Sequence, residues 1–406
     1  MRPATISRAL APLLLLTMIL LTLILLTLIA TAPRAHAALD DGYPPGQPAP
    51  GRTCPDSKVG QVAISPFNGK HFVCTLIDET KRWWPPGTPL PTASPNGATP
   101  ESGSHMPPGF RHTYVLPAAA LSTMTVHRDI AYGSDSPAQQ LDIYLPKGVT
   151  NPPLVIWIHG GGFIFGDKDV LGFDEGAHML QTLTRNGLAV AGINYRLADE
   201  AKFPAAGQDV KSAIRYLRAH AATYGFDPAR FATWGDSAGA YLAVMAGATG
   251  DQPSVFDSPR DKNRTTSAAV SAVVDLFGNA NFRTMKAHLL HHPCGPHLSQ
   301  AAPATMPDNP WFGDPALSQT QRAIDQANLY PYLATVSPRP AFFIFHGDED
   351  CSVSPYDSID LDTRIRSLGG RSSLTLVAHA GHGGAGVWSA ADSMGSTLRT
   401  FFNRHG

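Results

Sequence analysis

The chain has 406 residues, a formal net charge of −1 and a hydrophobic content of 43%. This length favours one large domain with accessory segments, and the apolar content is sufficient for a sizeable core. Because positive and negative charges are mixed along the chain, it has neither the basic stretches typical of nucleic-acid binding nor an acidic tail. We therefore expect a globular protein with no nucleic-acid partner.

The first 37 residues have the layout of a secretory signal. Arg2 and Arg8 precede an uncharged run over residues 9–30, and Ala-His-Ala closes the segment at residues 35–37. This pattern predicts cleavage after Ala37. Since the apolar run is long enough to span a bilayer, an uncleaved membrane anchor is the alternative. Both interpretations place the rest of the chain outside the cytoplasm, and only the second implies a membrane partner.

An even number of cysteines follows this segment: Cys54, Cys74, Cys294 and Cys351. In an oxidising compartment this favours two disulfides over free thiols. The pairing Cys54–Cys74 and Cys294–Cys351 is the simplest of the three possible pairings, because each bond then stays within one region of the chain.

A small hairpin module is predicted over residues 52–84, closed by Cys54–Cys74. Its apolar residues alternate around Asn68-Gly69, a dipeptide typical of tight hairpin turns. About thirty residues bury little core, so the disulfide would stabilise the module. Its paired tryptophans (83–84) could contact carbohydrate or complete the module's own core, and the second interpretation is favoured. A flexible lead-in (38–51) and a Pro/Gly-rich linker (85–110) flank the module.

Residues 111–406 form the predicted catalytic domain, of the α/β class. Two early antiparallel strands (124–133 and 139–146) precede short apolar runs at 154–158 and 188–195, the pattern of buried parallel strands. Helical patterns alternate with further strands, which predicts a mostly parallel central sheet flanked by helices. No strong strand occurs over 279–337, so this stretch is expected to be a helical and irregular insertion near the active site.

A candidate nucleophile lies in the sequence Gly235-Asp236-Ser237-Ala238-Gly239. The apolar strand "FATW" precedes it and the helix-forming stretch "AYLAVMAG" follows it. Gly-x-Ser-x-Gly at a strand-to-helix junction is the nucleophile-elbow pattern, in which the glycines relieve crowding around a strained serine. The alternative is a tight turn built of small residues. The strand-turn-helix setting favours the nucleophile.

A serine hydroxyl needs a base to take its proton and an acid to orient that base. The strand "AFFIFHG" is followed by Asp348, Glu349 and Asp350, and the strand "LTLVAHAG" is followed by His382. We choose Asp350 as the acid, with Asp348 second. His382 is the predicted base, because His379 lies closer to its strand and is expected to have a structural role.

An oxyanion-binding loop is predicted at His159-Gly160-Gly161-Gly162, directly after a buried strand. Consecutive glycines allow backbone N–H groups to approach an acyl oxygen, so Gly161, Gly162 and the amide of Ala238 are the candidate donors. Neither G-x-G-x-x-G nor the P-loop pattern is present, which disfavours phosphate binding here. The predicted mechanism needs no cofactor and no metal.

With these motifs in place, residues 124–403 resemble the α/β-hydrolase carboxylesterases with an HGGG loop, of the hormone-sensitive-lipase type and closest to the acetylxylan and feruloyl esterase-like group. The segments "LVIWIHGGGFIFGDK", "FATWGDSAGAYLA" and "FFIFHGDEDCSVSP" carry the resemblance. The family pattern HG-x-x-D-x-x-V places its aspartate on Asp350 and its valine on Val353, and the final histidine falls on His382. Where the family has Val-Pro after the acid, this chain has Val-Ser-Pro.

A histidine-rich stretch, "HLLHHPCGPH" (288–297), is a candidate metal site, because His288 and His291 could share one helix face. It lacks a neighbouring carboxylate or second cysteine, so a solvent-facing or pocket-lining cluster is preferred. Trp157, Phe277 and Trp388 are either pocket-lining aromatics or core residues.

Together these patterns predict an exported serine esterase that acts on short-chain or aryl acyl esters, free or linked to polysaccharide. Two alternatives stay open. One is an amide hydrolase of the same fold, such as an aryl formamidase. The other is a surface-binding protein without turnover.

Overall fold

The computed structural model describes residues 62–64, 71–77, 80–84, 116–172, 174–291, 310–313 and 317–405. The predicted signal segment (1–37), lead-in (38–51) and linker (85–110) lie outside these residues. Within the described ranges, no helix combines the length and apolar character needed to cross a bilayer.

The described strands form a small sheet and a large sheet. The small sheet contains β1 (Val62–Ile64), β2 (His71–Ile77) and β3 (Thr80–Trp84). The large sheet contains β4 (Met124–Ala131), β5 (Gln140–Pro146), β6 (Leu154–Ile158), β7 (Ala189–Ile193), β8 (Phe231–Asp236), β9 (Ala272–Leu276), β10 (Ala341–Gly347) and β11 (Ser372–Val377).

The described helices cover the large sheet on both faces. They are α1 (Ala118–Leu121), α2 (Asp174–Arg185), α3 (Ala205–Ala219), α4 (Ala221–Tyr224), α5 (Ala238–Thr249), α6 (Phe282–His291), α7 (Ser318–Gln326), α8 (Tyr330–Thr335), α9 (Pro355–Ser367), α10 (Ala385–Ala390) and α11 (Met394–His405). A 3₁₀ turn (Lys168–Gly172) precedes α2. Two separate clusters of buried apolar side chains, one on each face of the sheet, form the core.

The large sheet has the order β4-β5-β7-β6-β8-β9-β10-β11. β4 and β5 pair antiparallel, β5 pairs antiparallel with β7, and the pairs from β7 to β11 are parallel. Every residue of β6, β7 and β9 is buried, as expected for central strands covered on both faces. The predicted α/β-hydrolase fold, including its two early antiparallel strands, is confirmed.

The small sheet pairs β1 with β2 and β2 with β3, both antiparallel. Ile64 lies opposite His71, and the turn predicted at Asn68-Gly69 lies outside the described residues. β3 adds a strand over the tryptophan pair that the sequence prediction did not include. The predicted bond Cys54–Cys74 depends on Cys54, which lies outside the described residues.

The stretch between β9 and β10 contains α6, α7 and α8 and no strand in the parts that the structure describes. Its aromatic side chains pack next to the predicted oxyanion loop. Trp311 stacks on Phe163 with ring centroids 4.0 Å apart, and Phe282 packs on Tyr241 of α5 at 4.9 Å. Buried aromatic contacts of this kind fix the insertion on the loop and on α5. The predicted helical insertion near the active site is therefore present.

Candidate active site

Ser237 lies at a strained corner between β8 and α5. Its backbone has φ 51° and ψ −118°, a conformation that a non-glycine residue rarely adopts. A Cβ atom at Gly235 would lie 2.2 Å from the carbonyl oxygen of Gly239, and one at Gly239 would lie 2.1 Å from that of Ile158. Both glycines are thus required by close backbone approach. Every residue of α5 is buried, so the corner rests on a fixed helix.

The side chains of Ser237, His382 and Asp350 form one continuous row. Ser237 Oγ lies 3.0 Å from His382 Nε2, and His382 Nδ1 lies 2.7 Å from Asp350 Oδ2. The three residues follow the carboxyl ends of β8, β10 and β11, which meet at one edge of a parallel sheet. Although 145 residues separate Ser237 from His382, the topology places the three predicted residues in hydrogen-bond contact.

Asp350 is fully buried and still holds a negative charge. Its Oδ1 accepts hydrogen bonds from the backbone N–H groups of Ser352 (2.8 Å) and Val353 (3.0 Å). Burial by itself would raise the pKa of Asp350, but hydrogen bonds from His346 and His382 and their charges outweigh it and hold this pKa well below its usual range. Asp350 is thus ionised at neutral pH and can fix His382 with Nδ1 protonated and Nε2 free to accept a proton.

The competing candidates lie outside this row. Asp348 Oδ1 accepts the backbone N–H of His379 (2.7 Å), and the His379 ring lies 2.8 Å from Glu349 Oε1. The hydrogen bond to Glu349 raises the pKa of His379. His379 has a fully solvated ring, so it is hydrogen-bonded as expected but not packed.

The glycine loop after β6 adopts conformations that only glycine takes easily. Gly161 has φ 105° and Gly162 has φ 61°. A Cβ at Gly161 would lie 2.1 Å from the carbonyl oxygen of Phe165. Ala238 is the first residue of α5, where backbone N–H groups have no partner within the helix. In the part of the chain that the structure describes, the amides of Gly161 and Ala238 donate to no backbone carbonyl.

Two residues that hold this loop were not singled out from the sequence. The Tyr195 hydroxyl donates to the carbonyl oxygen of His159 (2.9 Å), and the two rings stack with centroids 4.3 Å apart. Asp236 Oδ1 accepts the N–H of Gly160 (3.0 Å). The predicted structural role of His159 agrees with this packing. Asp236 directly precedes the candidate nucleophile Ser237, which is the one sequence signal that could have indicated the role of Asp236.

Asp236→Asn should make stability less sensitive to pH. Burial raises the pKa of Asp236 to about 7, although the nearby charge of His382 lowers it. The fold therefore favours the protonated form, and the free energy of unfolding of the wild type falls as pH rises from about 4 to about 7. The free energy of unfolding of D236N, relative to that of wild type, should rise by about 2 kcal/mol between about pH 4 and pH 8. This is less than the full pKa shift of Asp236 implies, because the side chain is only half-buried. Urea unfolding of both proteins at the two pH values measures this. A stability difference that stays constant with pH would contradict it.

The remaining candidates have structural contacts. His288 forms ion pairs with Asp357 (3.0 Å) and Asp360 (3.3 Å) of α9. His292, Cys294 and His297 lie outside the described residues, and the residues that are described contain no cluster of His, Cys, Asp and Glu suited to a metal ion. Cys351 is disulfide-bonded; its predicted partner Cys294 is not described, so the pairing stays a prediction.

The three aromatic candidates divide between core and site. Trp157 and Phe277 are buried, and Trp388 is half-buried. Phe277 packs edge-on against the His382 ring with centroids 4.8 Å apart, and Trp388 packs on Phe277 at 6.3 Å. Phe277 therefore belongs to the core and also supports the histidine.

A protein-family model described as BD-FAE matches residues 141–365, more than half of the chain. The match begins in β5 and ends in α9, so it contains Ser237 and Asp350 but stops short of His382.

Curated relatives include esterases from two kingdoms. "Probable isoprenylcysteine alpha-carbonyl methylesterase ICMEL1" of Arabidopsis thaliana is 29% identical over 254 residues, which cover 62% of this chain and 49% of that protein. "Esterase LipC" of Mycobacterium tuberculosis is 28% identical over 269 residues, covering 64% of this chain and 60% of that protein. The chain thus spans about half the length of these relatives.

Solved structures share the fold. A "truncated form of carbohydrate esterase from gut microbiota" superposes with a TM-score of 0.57 and 25% identity, covering 68% of this chain and 98% of that one. Nearly the whole of that protein is therefore matched by about two thirds of this chain.

Proposed function

The chain belongs to the BD-FAE family, and on that premise we propose that it is an exported carboxylic-ester hydrolase with Ser237 as its nucleophile. The observation that carries the proposal is the row of contacts Ser237 Oγ–His382 Nε2 (3.0 Å) and His382 Nδ1–Asp350 Oδ2 (2.7 Å). This arrangement has the roles required for acyl transfer, namely a nucleophile, a base in contact with it and an acid that orients the base.

In the acylation step, Ser237 Oγ attacks the ester carbonyl carbon while its proton moves to His382 Nε2. Asp350 stabilises the resulting imidazolium. The negative oxygen of the tetrahedral intermediate accepts hydrogen bonds from the backbone N–H groups of Gly161, Gly162 and Ala238. His382 then gives its proton to the departing alcohol oxygen as the C–O bond breaks. This leaves an acyl group on Ser237.

In the deacylation step, a water molecule attacks the acyl carbon and gives one proton to His382. The second tetrahedral intermediate collapses, the carboxylic acid leaves, and the proton on His382 returns to Ser237 Oγ. No cofactor takes part in this scheme.

The proposed substrates are esters of short-chain or aryl acids, free or attached to polysaccharide. The carbohydrate esterase among the solved structures supports the polysaccharide alternative. Ile164 and Phe165 lie two and three residues after Gly162 and are 49% and 41% exposed, which gives the site an apolar border suited to an alkyl or aryl group.

A panel of acetyl, butyryl, octanoyl and feruloyl esters, together with a formyl-anilide, tests this proposal. We expect turnover of the acetyl, butyryl or feruloyl ester to exceed that of the octanoyl ester and the anilide by at least about tenfold, a difference of about 1.4 kcal/mol in transition-state stabilisation. Preferential hydrolysis of the anilide would instead favour an amide hydrolase. The absence of turnover with every compound would favour the other alternative, a surface-binding protein without turnover.

Export remains part of the proposal because the signal-like segment lies outside the described residues. Export is supported by the order of features in the sequence: Arg2 and Arg8, then the apolar run over 9–30, then Ala-His-Ala at 35–37. Intact-mass measurement of protein recovered from the culture medium distinguishes a chain beginning at Ala38 from the full-length, anchored alternative. The pairing Cys294–Cys351 would tie the insertion to the residue that follows Asp350, and peptide mapping without reduction tests it.

A further inference from the structure

Asp350 contacts a second histidine besides His382. His346 lies near the end of β10, four residues before Asp350, and is fully buried. Its Nε2 lies 3.2 Å from Asp350 Oδ2, the same oxygen that faces His382 Nδ1 at 2.7 Å. The mechanism proposed above assigns no role to His346.

The contacts of the His346 ring fix one of its protons. Nε2 faces two groups that only accept hydrogen bonds, the ionised Asp350 carboxylate and the Val353 carbonyl oxygen at 2.9 Å. Nε2 must therefore carry a hydrogen. Nδ1 lies 2.7 Å from Ser358 Oγ, a hydroxyl that can either donate to a bare nitrogen or accept from a protonated one. The ring can thus hold a second proton without losing a hydrogen bond.

Carboxylates face His346 from three elements. Besides Asp350, these are Asp275 of β9 and Asp357 of α9. Asp275 is fully buried, and within the described part of the chain its Oδ2 has no hydrogen-bond partner. Burial raises the pKa of Asp275 to about 6, so its charge acts on His346 mainly above that pH, and Asp350 is the carboxylate that stays charged below it. Burial lowers the pKa of His346, but the contact with Asp350, the Val353 carbonyl and the charge of Asp275 together raise it above its ordinary value. These surroundings favour the doubly protonated, cationic ring.

We infer that His346 is a positioning residue that places a second imidazolium beside Asp350 and so limits how strongly Asp350 stabilises protonated His382. The inference rests on the proposed roles of Ser237, His382 and Asp350. A catalytic base that is held too firmly in its protonated form cannot accept the serine proton. The His346 charge therefore keeps His382 available as a base at lower pH.

The test compares pH profiles of kcat/KM for p-nitrophenyl acetate in wild type and His346→Gln. Glutamine keeps an N–H donor for Val353 but removes the positive charge. We expect the acid limb of the profile, where kcat/KM falls as the pH decreases, to move to higher pH by about 0.5–1 unit. This is the size expected for losing one partly screened charge a few ångströms away. Turnover should fall about three- to tenfold near pH 6 and stay within about twofold of wild type near pH 9.

Two further variants separate this effect from a merely structural one. Ser358→Ala removes the acceptor that stabilises the second proton on His346, so its acid limb should shift in the same direction by a smaller amount. His220→Gln makes the same chemical change at a histidine whose ring bonds the carbonyl oxygen of Tyr216 of α3 (2.8 Å) and stacks on the Tyr216 ring, and it should leave the limb unchanged. A uniform loss of turnover at all pH values in H346Q, with the limb in place, would overturn the inference.

The charge on His346 is also directly measurable in the wild type. In a ¹⁵N-histidine NMR titration, the His346 ring should have both nitrogens protonated at about pH 6, and a neutral ring there would overturn the inference even if H346Q did not fold. This readout does not need turnover. Loss of all esterase activity on Ser237→Ala tests the proposed function, whereas the limb shift and the ¹⁵N signals test only His346.

Discussion

Replacing Ser237 with alanine should lower kcat/KM for p-nitrophenyl acetate by at least about 10⁴-fold. The alanine side chain has no oxygen to attack the ester carbonyl, and the Nε2 of His382, 3.0 Å from Ser237 Oγ in the wild type, then has no serine proton to accept. The residual rate would come from water attack assisted by the oxyanion-binding amides. Initial rates at a fixed pH, with an active-site titration of the wild type, measure the loss.

The matched control is Ser396→Ala. Ser396 is an exposed serine on α11 whose hydroxyl donates to the carbonyl of Ser393. This variant should keep wild-type turnover within about twofold, because surface substitutions away from special features change little. Because alanine keeps the Cβ atom and loses only the hydroxyl and its contact with His382, S237A should unfold in urea within about 1 kcal/mol of wild type. Matching unfolding curves would exclude unfolding as the cause of the lost activity. Wild-type turnover by S237A would overturn the proposed mechanism.

The fold was predictable because its strands are local patterns. The run at 154–158 is apolar throughout, the run at 341–347 is apolar up to His346, and the two coincide with β6 and β10 to the residue. Such strands must be covered on both faces, and this requirement alone indicates a parallel sheet with helices on each side. The small sheet was harder to predict, because Asn68-Gly69 indicates a single hairpin and carries no signal for a third strand over the tryptophan pair.

The candidate row Ser237, His382 and Asp350 was also predictable, because each residue follows a strand in a fixed order. The residues that support the row were not. Tyr195 reaches His159 across 36 residues of sequence, and Asp236 reaches Gly160 across 76. Contacts of that length depend on how the strands are ordered in the sheet, which no local pattern specifies. His346 is different, because it is the histidine of the HG-x-x-D pattern quoted for Asp350, and the sequence therefore contained a signal for it.

Stability and the proposed catalysis are opposed in the segment around Ser237. Ser237 has a positive φ, and Asp236 is an acid whose charged form the fold disfavours. Both features cost folding free energy, and Asp236 also holds the glycine loop through Gly160. The fully buried helix α5 offsets these costs by packing every one of its residues. A site built this way holds its geometry before the substrate arrives, which is the condition for electrostatic stabilisation of an oxyanion.

Replacing Asp350 with asparagine should lower kcat/KM about 10³- to 10⁴-fold at neutral pH. The amide nitrogen of asparagine can occupy the position of Oδ2 and donate to His382 Nδ1, which would leave the ring proton on Nε2. Nε2 then cannot accept the proton of Ser237. The substitution also removes the negative charge that stabilises the imidazolium. The rate constant kcat should fall with little change in KM, because the lost interaction strengthens only in the transition state.

Asp348→Asn is the matched control, since Asp348 was the second candidate for the acid. Asp348 lies two residues from Asp350, and its Oδ1 accepts the backbone N–H of His379 rather than contacting the His382 ring. An asparagine Oδ1 can accept the same hydrogen bond, so D348N should stay within about threefold of wild type. Steady-state kinetics of both variants, at equal folded fractions by circular dichroism, decide between the two acids. A larger loss in D348N than in D350N would assign the acid to Asp348 and would require the loop after β10 to rearrange when substrate binds.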